Sequence, residues 1–132
     1  MPTISASLED YLEAIFILQT ELAEVRVKDI SEYLDVKPPS VIDALKLLKN
    51  KRLVLQEKYS SIELTSKGKK IAKDIVKKHD VIKVFLVKAL GLDEETADKD
   101  ACKIEHSLSK KTVMLIKKYL KKKPISNWDR LF

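Results

Sequence analysis

One cysteine, two glycines and four prolines are spread over 132 residues, and each shortage excludes something. A lone Cys102 forms no internal disulfide, so its roles reduce to core filler, reactive thiol or metal ligand. There is no Gly-rich phosphate loop and no recognised hydrolase motif, so no enzyme and no small-molecule substrate are expected. The most apolar stretch, Val81 to Leu92, is broken by Lys83 and Lys88 and is too short to cross a bilayer. No basic N-terminal region leads into an apolar run with a small-residue cleavage site, so the expectation is a cytoplasmic protein without a membrane partner. Against these shortages stand 45% hydrophobic and 35% charged residues, the balance of a packed, mostly helical chain.

The net charge of +6 is unevenly placed. Residues 1–36 hold 2 basic and 8 acidic side chains, a balance of −6, whereas residues 37–70 hold 9 against 3, a balance of +6. Residues 71–132 add 15 against 9, another +6. The step at Lys37 puts a basic region beside the element best suited to read DNA; a solvated lysine surface is the alternative.

Apolar spacing predicts a first helix over 7–22, with Ser7 and Asp10 forming a loose capping box. A second short helix follows over 27–34, with Val27, Ile30, Tyr33 and Leu34 inward. Asp35, Val36 and Lys37 form a turn. Pro38 and Pro39 then suit the first turn of a third helix, which runs through Val41, Leu45 and Leu48. A short helix, a tight turn and a second helix make a helix-turn-helix. Two β-prone runs, 53–56 and 62–64, read as a hairpin or wing. Thr65 or Ser66 caps a long helix through Ile75, His79, Ile82 and Leu86 that Gly91 stops. A further helix from Asp93 carries Ala97, Ala101, Ile104 and Leu108, and a last one covers 110–123 before Pro124. The expected fold is mainly α with a small β-hairpin. A winged helix-turn-helix domain spans 1–70 and a helical metal-binding and dimerisation domain spans 71–132. Trp128 and Phe132 give the tail two aromatics that could dock.

In such a fold the outward residues of the third helix meet base edges and nearby cations hold phosphates. Those outward residues are Lys37, Pro39, Ser40, Asp43 and Lys46. Ser40 can bond several bases, Asp43 can accept from a cytosine amine, and Pro39 offers apolar contact to a thymine methyl. Lys49, Lys51, Arg52 and Lys58 are the candidate phosphate anchors.

The two histidines and the cysteine fall where ligands could be. Cys102, Glu105 and His106 stand at i, i+3 and i+4 of one expected helix and share a face bordering its core stripe. His79 lies between Ile75 and Ile82 on the preceding helix. Asp10 and Glu13 lie on the side of the first helix that also carries Ala14 and Ile17, so they meet protein rather than water alone. Carboxylates pressed against protein need a cation. This mixture of imidazole, carboxylate and thiolate suits Fe²⁺, Co²⁺, Zn²⁺ or Ni²⁺ and, with the thiolate held outside, Mn²⁺. The alternatives are a core cysteine, a polar i,i+4 pair and an exposed acidic turn.

Four stretches, LEDYLEAI (8–15), VKPPSVIDALKLLKNKRLV (36–54), YSSIELTSKGKKIAK (59–73) and CKIEHSLS (102–109), together resemble the diphtheria toxin repressor family of iron- and manganese-dependent regulators. The resemblance covers nearly the whole chain. It implies a homodimer whose metal-loaded form binds a palindromic operator in double-stranded DNA and represses metal-uptake genes. It also implies that Asp10, Glu13, His79, Cys102, Glu105 and His106 are the metal ligands, with Fe²⁺ or Mn²⁺ as the metal. The chain is too short for the SH3-like third domain of the longer iron-dependent members, so its architecture is similar to that of the manganese branch. Asp10 and Glu13 look like the manganese-type pair, while Cys102 is what the iron-type branch has. The family's ancillary site uses a carboxylate and a histidine where this sequence has Lys83 and Asp98. Lys83 would repel a cation there, and Asp98 could serve as a ligand or as support to one. The rival reading is a metal-independent winged-helix regulator with Cys102 as redox sensor.

Overall fold

Helix α1 (Ala6–Glu21) begins at Ser5, whose hydroxyl accepts from the Leu8 amide at 3.2 Å. The cap is therefore Ser5 and not the Ser7 of the sequence reading, because the extended backbone that a cap needs is already in place at Ser5 (φ −66°, ψ 157°). The computed structural model describes residues 4–56 and 61–122, so Lys58, Trp128 and Phe132 lie outside the described residues. Five more helices and one hairpin follow: α2 (Val27–Leu34), α3 (Pro38–Asn50), β1 (Val54–Leu55), β2 (Glu63–Leu64), α4 (Ser66–Leu90), α5 (Glu94–Ile104) and α6 (Lys110–Lys122).

The chain divides into two compact units, 1–74 and 75–132. In the first, α2 stops at Asp35, which takes a left-handed conformation (φ 54°, ψ 52°) while the Val36 amide reaches back to the Ser31 carbonyl at 3.1 Å. That reversal sets α2 and α3 as a helix-turn-helix. Lys37 precedes α3 and both prolines fill its first turn, where no amide is missed. Leu12, Ile15, Ile30, Val41, Leu48, Leu53 and Ile62 are buried in one core shared by all three helices and the hairpin. Each large side chain buried this way stabilises the unit by about 1.5–3 kcal/mol before entropy is counted. Tyr33, expected inward, is 48% exposed, because Ile30, Val27 and Leu34 already fill the narrow stripe of so short a helix.

The antiparallel strands pair Val54 with Leu64 and Leu55 with Glu63. A further bond from the Ile62 amide to the Val25 carbonyl, 2.8 Å, ties the hairpin to the segment between α1 and α2. At its other end the hairpin is locked onto α4. The Thr65 hydroxyl donates to the Arg52 carbonyl at 2.8 Å and accepts from the Gly68 amide at 3.0 Å. Arg52 itself has φ 60°, a left-handed turn that releases the chain from α3.

In the second unit α4 ends at Gly91 (φ 75°), and the Leu92 amide returns to the Leu86 carbonyl at 3.1 Å. Asp93 caps α5 through the Thr96 amide at 3.0 Å. Ile82, Leu86, Ala97 and Ala101 form the core there, with Ile104 and Leu108 packed at its margin. Helix α5 stops at Ile104, short of the Leu108 that periodicity had placed on it, because a turn closed by the Ser107 amide on the Ile104 carbonyl intervenes. No described helix is long and apolar enough to cross a membrane.

Candidate functional site

The second unit gathers a compact set of donor atoms. Ligand atoms of His79, Cys102 and Glu105 lie within 4.8 Å of one another. Helix α4 supplies the histidine and α5 supplies the cysteine, while Glu105 is the C-terminal cap of α5, its amide still bonded to the Ala101 carbonyl. Glu105 is 1% exposed, Cys102 is exposed, and His106, in the turn beyond the helix, is half-buried.

Two imidazoles attend the buried carboxylate. His79 Nδ1 lies 2.7 Å from Glu105 Oε2, and His106 Nε2 lies 3.6 Å from Glu105 Oε1. Oε1 is fully buried and has no hydrogen-bond partner among the described residues. A carboxylate oxygen held away from water in that condition is costly unless a cation meets it. The donor set therefore fits a divalent transition metal, with nitrogen, oxygen and sulfur ligands converging on one place.

The other ring nitrogen of His79, Nε2, is 2.8 Å from Asp98 Oδ1, and the same oxygen is 3.6 Å from Lys83 Nζ. The bond from His79 holds the Asp98 carboxyl below the usual range, with Lys83 adding to the effect against the cost of burial. Burial pushes the neighbouring Asp80 carboxyl up, offset in part by His79 and Lys83. Asp98 is absent from the converging donor set. Lys78 ties α4 to the turn after α5 through the Leu108 carbonyl at 2.6 Å.

In the first unit Asp10 and Glu13 are half-buried on α1, on the side that also holds buried Ala14 and half-buried Ile17. The candidate DNA-contacting residues lie on and around α3. Lys37, Pro39, Ser40, Asp43, Lys46, Lys49 and Arg52 are exposed, and Lys51 is half-buried. Their face of the helix is opposite the buried Val41, Ala44, Leu45 and Leu48. The sequence reading missed Ile42 and Leu47, which are 44% and 51% exposed on that outer surface. Their signal was available, since both fall off the buried stripe of α3.

Comparison with known proteins gives a consistent picture. Residues 3–62 match the model of the iron dependent repressor N-terminal DNA binding domain, and residues 65–124 match that of the iron dependent repressor metal binding and dimerisation domain. An HTH-type transcriptional regulator of Methanocaldococcus jannaschii is 40% identical over 120 residues, 90% of this chain and 96% of its own. The HTH-type transcriptional regulator MntR of Bacillus subtilis is 44% identical over 103 residues, 78% of this chain and 72% of its own. The solved structure of the manganese regulator SloR superposes with a TM-score of 0.78 at 31% identity over 89% of this chain, which spans 55% of the SloR chain.

Proposed function

The chain belongs to the iron-dependent repressor family of DNA-binding, metal-dependent transcriptional regulators, which are not enzymes, and from that membership we propose how it works. As a homodimer in the cytoplasm, loaded with Fe²⁺ or Mn²⁺, it binds a palindromic operator and represses genes for metal uptake. The observation that carries the metal reading is Glu105, 1% exposed, with Oε1 lacking a hydrogen-bond partner among the described residues. Glu105, His79 and Cys102 hold the ion, and Asp10, Glu13 and His106 complete the set, as the family resemblance implies. When bound, a divalent ion supplies the positive charge that a buried carboxylate requires. Any ring nitrogen of His79 or His106 that takes the ion must be free of its proton.

The exposed face of α3 enters the major groove. Pro39, Ser40, Ile42 and Asp43 meet base edges, the apolar pair against thymine methyls, and Lys49, Lys51, Arg52 and Lys58 hold phosphates. Exposed Met114, Leu115 and Tyr119 on α6 support a dimer, since apolar side chains of this size on one helix face favour cover. SloR, a manganese regulator by name, supports Mn²⁺, while Cys102 supports Fe²⁺ only through the family resemblance, which gives it to the iron-type branch.

The test is fluorescence anisotropy of a labelled palindrome selected from random DNA, with EDTA or with Mn²⁺, Fe²⁺, Co²⁺, Zn²⁺ or Ni²⁺. Tight binding restored by one or two metals and removed by EDTA is expected. Tight binding indifferent to every metal, but lost on oxidation and insensitive to oxidant in Cys102→Ser, would favour the redox sensor instead. Under the proposed roles Arg52→Ala weakens all duplexes and lowers the salt slope by about one phosphate. Asp43→Ala changes which sequence is preferred.

A further inference from the structure

We propose that the lysine face of α6 is a second, sequence-independent binding surface for duplex DNA, holding backbone phosphates apart from the base-reading face of α3. This rests on the DNA-binding membership given above and not on the metal-dependent reading.

What α6 lacks is a counter-charge. Its sequence, KKTVMLIKKYLKK, holds six lysines in 13 residues and no acidic residue. All six are exposed, and among the described residues none is in an ion pair. Helix geometry puts Lys110, Lys117 and Lys121 (i, i+7, i+11) in one row and Lys111, Lys118 and Lys122 in a second row beside it. Like charges one turn apart, Lys117 with Lys121 and Lys118 with Lys122, repel. Lys110 and Lys111 sit in the first turn, at the positive end of the helix dipole, where cations are disfavoured. Only Lys121 and Lys122, in the last turn, suit the dipole. Helix α5 shows what a solvated face is served by: both signs, with Lys99 paired to Glu95 at 3.3 Å one turn away. Local stability does not account for the one-sign pattern of α6, and an external polyanion does.

Two observations select duplex DNA as that polyanion. The apolar face of α6 is already taken, since Leu120 is buried and Val113 and Ile116 are half-buried, so the helix cannot lay that face into a lipid surface. The row from Lys110 to Lys121 extends over about 16 Å, long enough to meet more than one phosphate of a strand, and its single sign fits a partner whose charges repeat regularly. Residues 3–62 already commit the chain to DNA. Met114 lies between the two rows, and Leu115 and Tyr119 lie beyond the second, so a dimer contact through the latter pair leaves the first row uncovered.

The test measures binding of the full chain to a scrambled duplex by fluorescence anisotropy, in EDTA, over a series of salt concentrations. Lys117→Gln/Lys121→Gln is compared with Lys88→Gln/Lys103→Gln, which removes the same charge from exposed positions on α4 and α5. The α6 pair is expected to lower the slope of log K against log salt by about 1.8, the loss of two phosphate contacts, while the α4 and α5 pair keeps the wild-type slope. Lys117→Arg/Lys121→Arg should keep it as well. Urea unfolding should find Lys117→Gln/Lys121→Gln as stable as wild type or more so, which sets this role apart from a structural one. A wild-type slope in the α6 pair would overturn the proposal and make the lysines a solvated face. The same drop in both glutamine pairs would overturn it too and make the effect one of net charge. Wild-type binding to phosphatidylserine vesicles in preference to the duplex, lost in the α6 pair, would overturn it in favour of a membrane. The selected palindrome with metal keeps the two readings apart: a wild type that ignores every metal there sinks the metal-dependent reading and leaves this one standing, whereas an unchanged slope on scrambled DNA sinks this one alone.

Discussion

At Gly68 a methyl group would lie 2.1 Å from the Leu53 carbonyl oxygen, a backbone atom that cannot swing aside. Here the first turn of α4 is pressed against the start of the wing. Alanine would add about 1 kcal/mol of helix propensity, but the overlap forces a backbone shift costing about 3 kcal/mol. Gly68→Ala is therefore expected to destabilise the fold by about 2 kcal/mol net, measured by urea unfolding, and unchanged or raised stability would show that the junction yields. Nothing in the sequence announced this contact, because the partner of Gly68 is 15 positions away in the chain and is a carbonyl rather than a side chain. Glu105 shows the same limit. Residue type and the spacing from Cys102 marked both as candidate ligands, yet spacing says which residues share a face and not how deep each lies. The structure buries Glu105 and exposes Cys102.

Elements were more legible than contacts. The α2 boundaries, the prolines opening α3 and the glycine closing α4 follow from local chemistry that acts within a few residues: apolar spacing, a missing amide, a permitted positive φ. The end of α5 was not legible, since Leu108 keeps core spacing after the helix has stopped at Ile104. A turn can deliver a side chain to the same core, and periodicity cannot tell the two apart. The start of α5 has a titratable cap. The Thr96 amide and hydroxyl bonded to Asp93 hold its carboxyl below the usual value, so the folded state prefers the ionised form. The capping contribution is then fully present above the unfolded carboxyl pKa of about 3.9 and is lost as pH falls through the lower folded value. Acid titration of stability should show this step below about pH 4 in the wild type, and Asp93→Asn, which caps without titrating, should lack it. Equal acid profiles for the two would remove Asp93 from the account.

For the whole molecule, the proposed ligands include residues of both family domains: Asp10 and Glu13 from the DNA-binding one, and His79, Cys102, Glu105 and His106 from the metal-binding one. Under this proposal the two binding events are coupled, and any such linkage must be reciprocal. If metal tightens operator binding by some factor, operator must tighten metal binding by that same factor, about 5–150-fold for coupling of ordinary size. The half-sites it selects should lie about 34 Å apart, one helical turn, if two recognition helices of a dimer bind one face of the duplex. Calorimetric titration of Mn²⁺ into protein alone, into protein with the selected palindrome and into protein with a scrambled duplex measures the factor directly. A gain with the palindrome that exceeds the gain with scrambled DNA is expected. Equal metal affinity in all three would mean that the ion is held without informing the DNA surface, and the charge step at Lys37 would then describe a DNA-binding protein whose signal lies elsewhere. Salt separates the contributions further. The phosphate contacts proposed for Lys49, Lys51 and Arg52 should weaken steeply with ionic strength on either duplex, so a coupling factor that survives rising salt would point to the proposed base-reading face of α3 and not to charge alone.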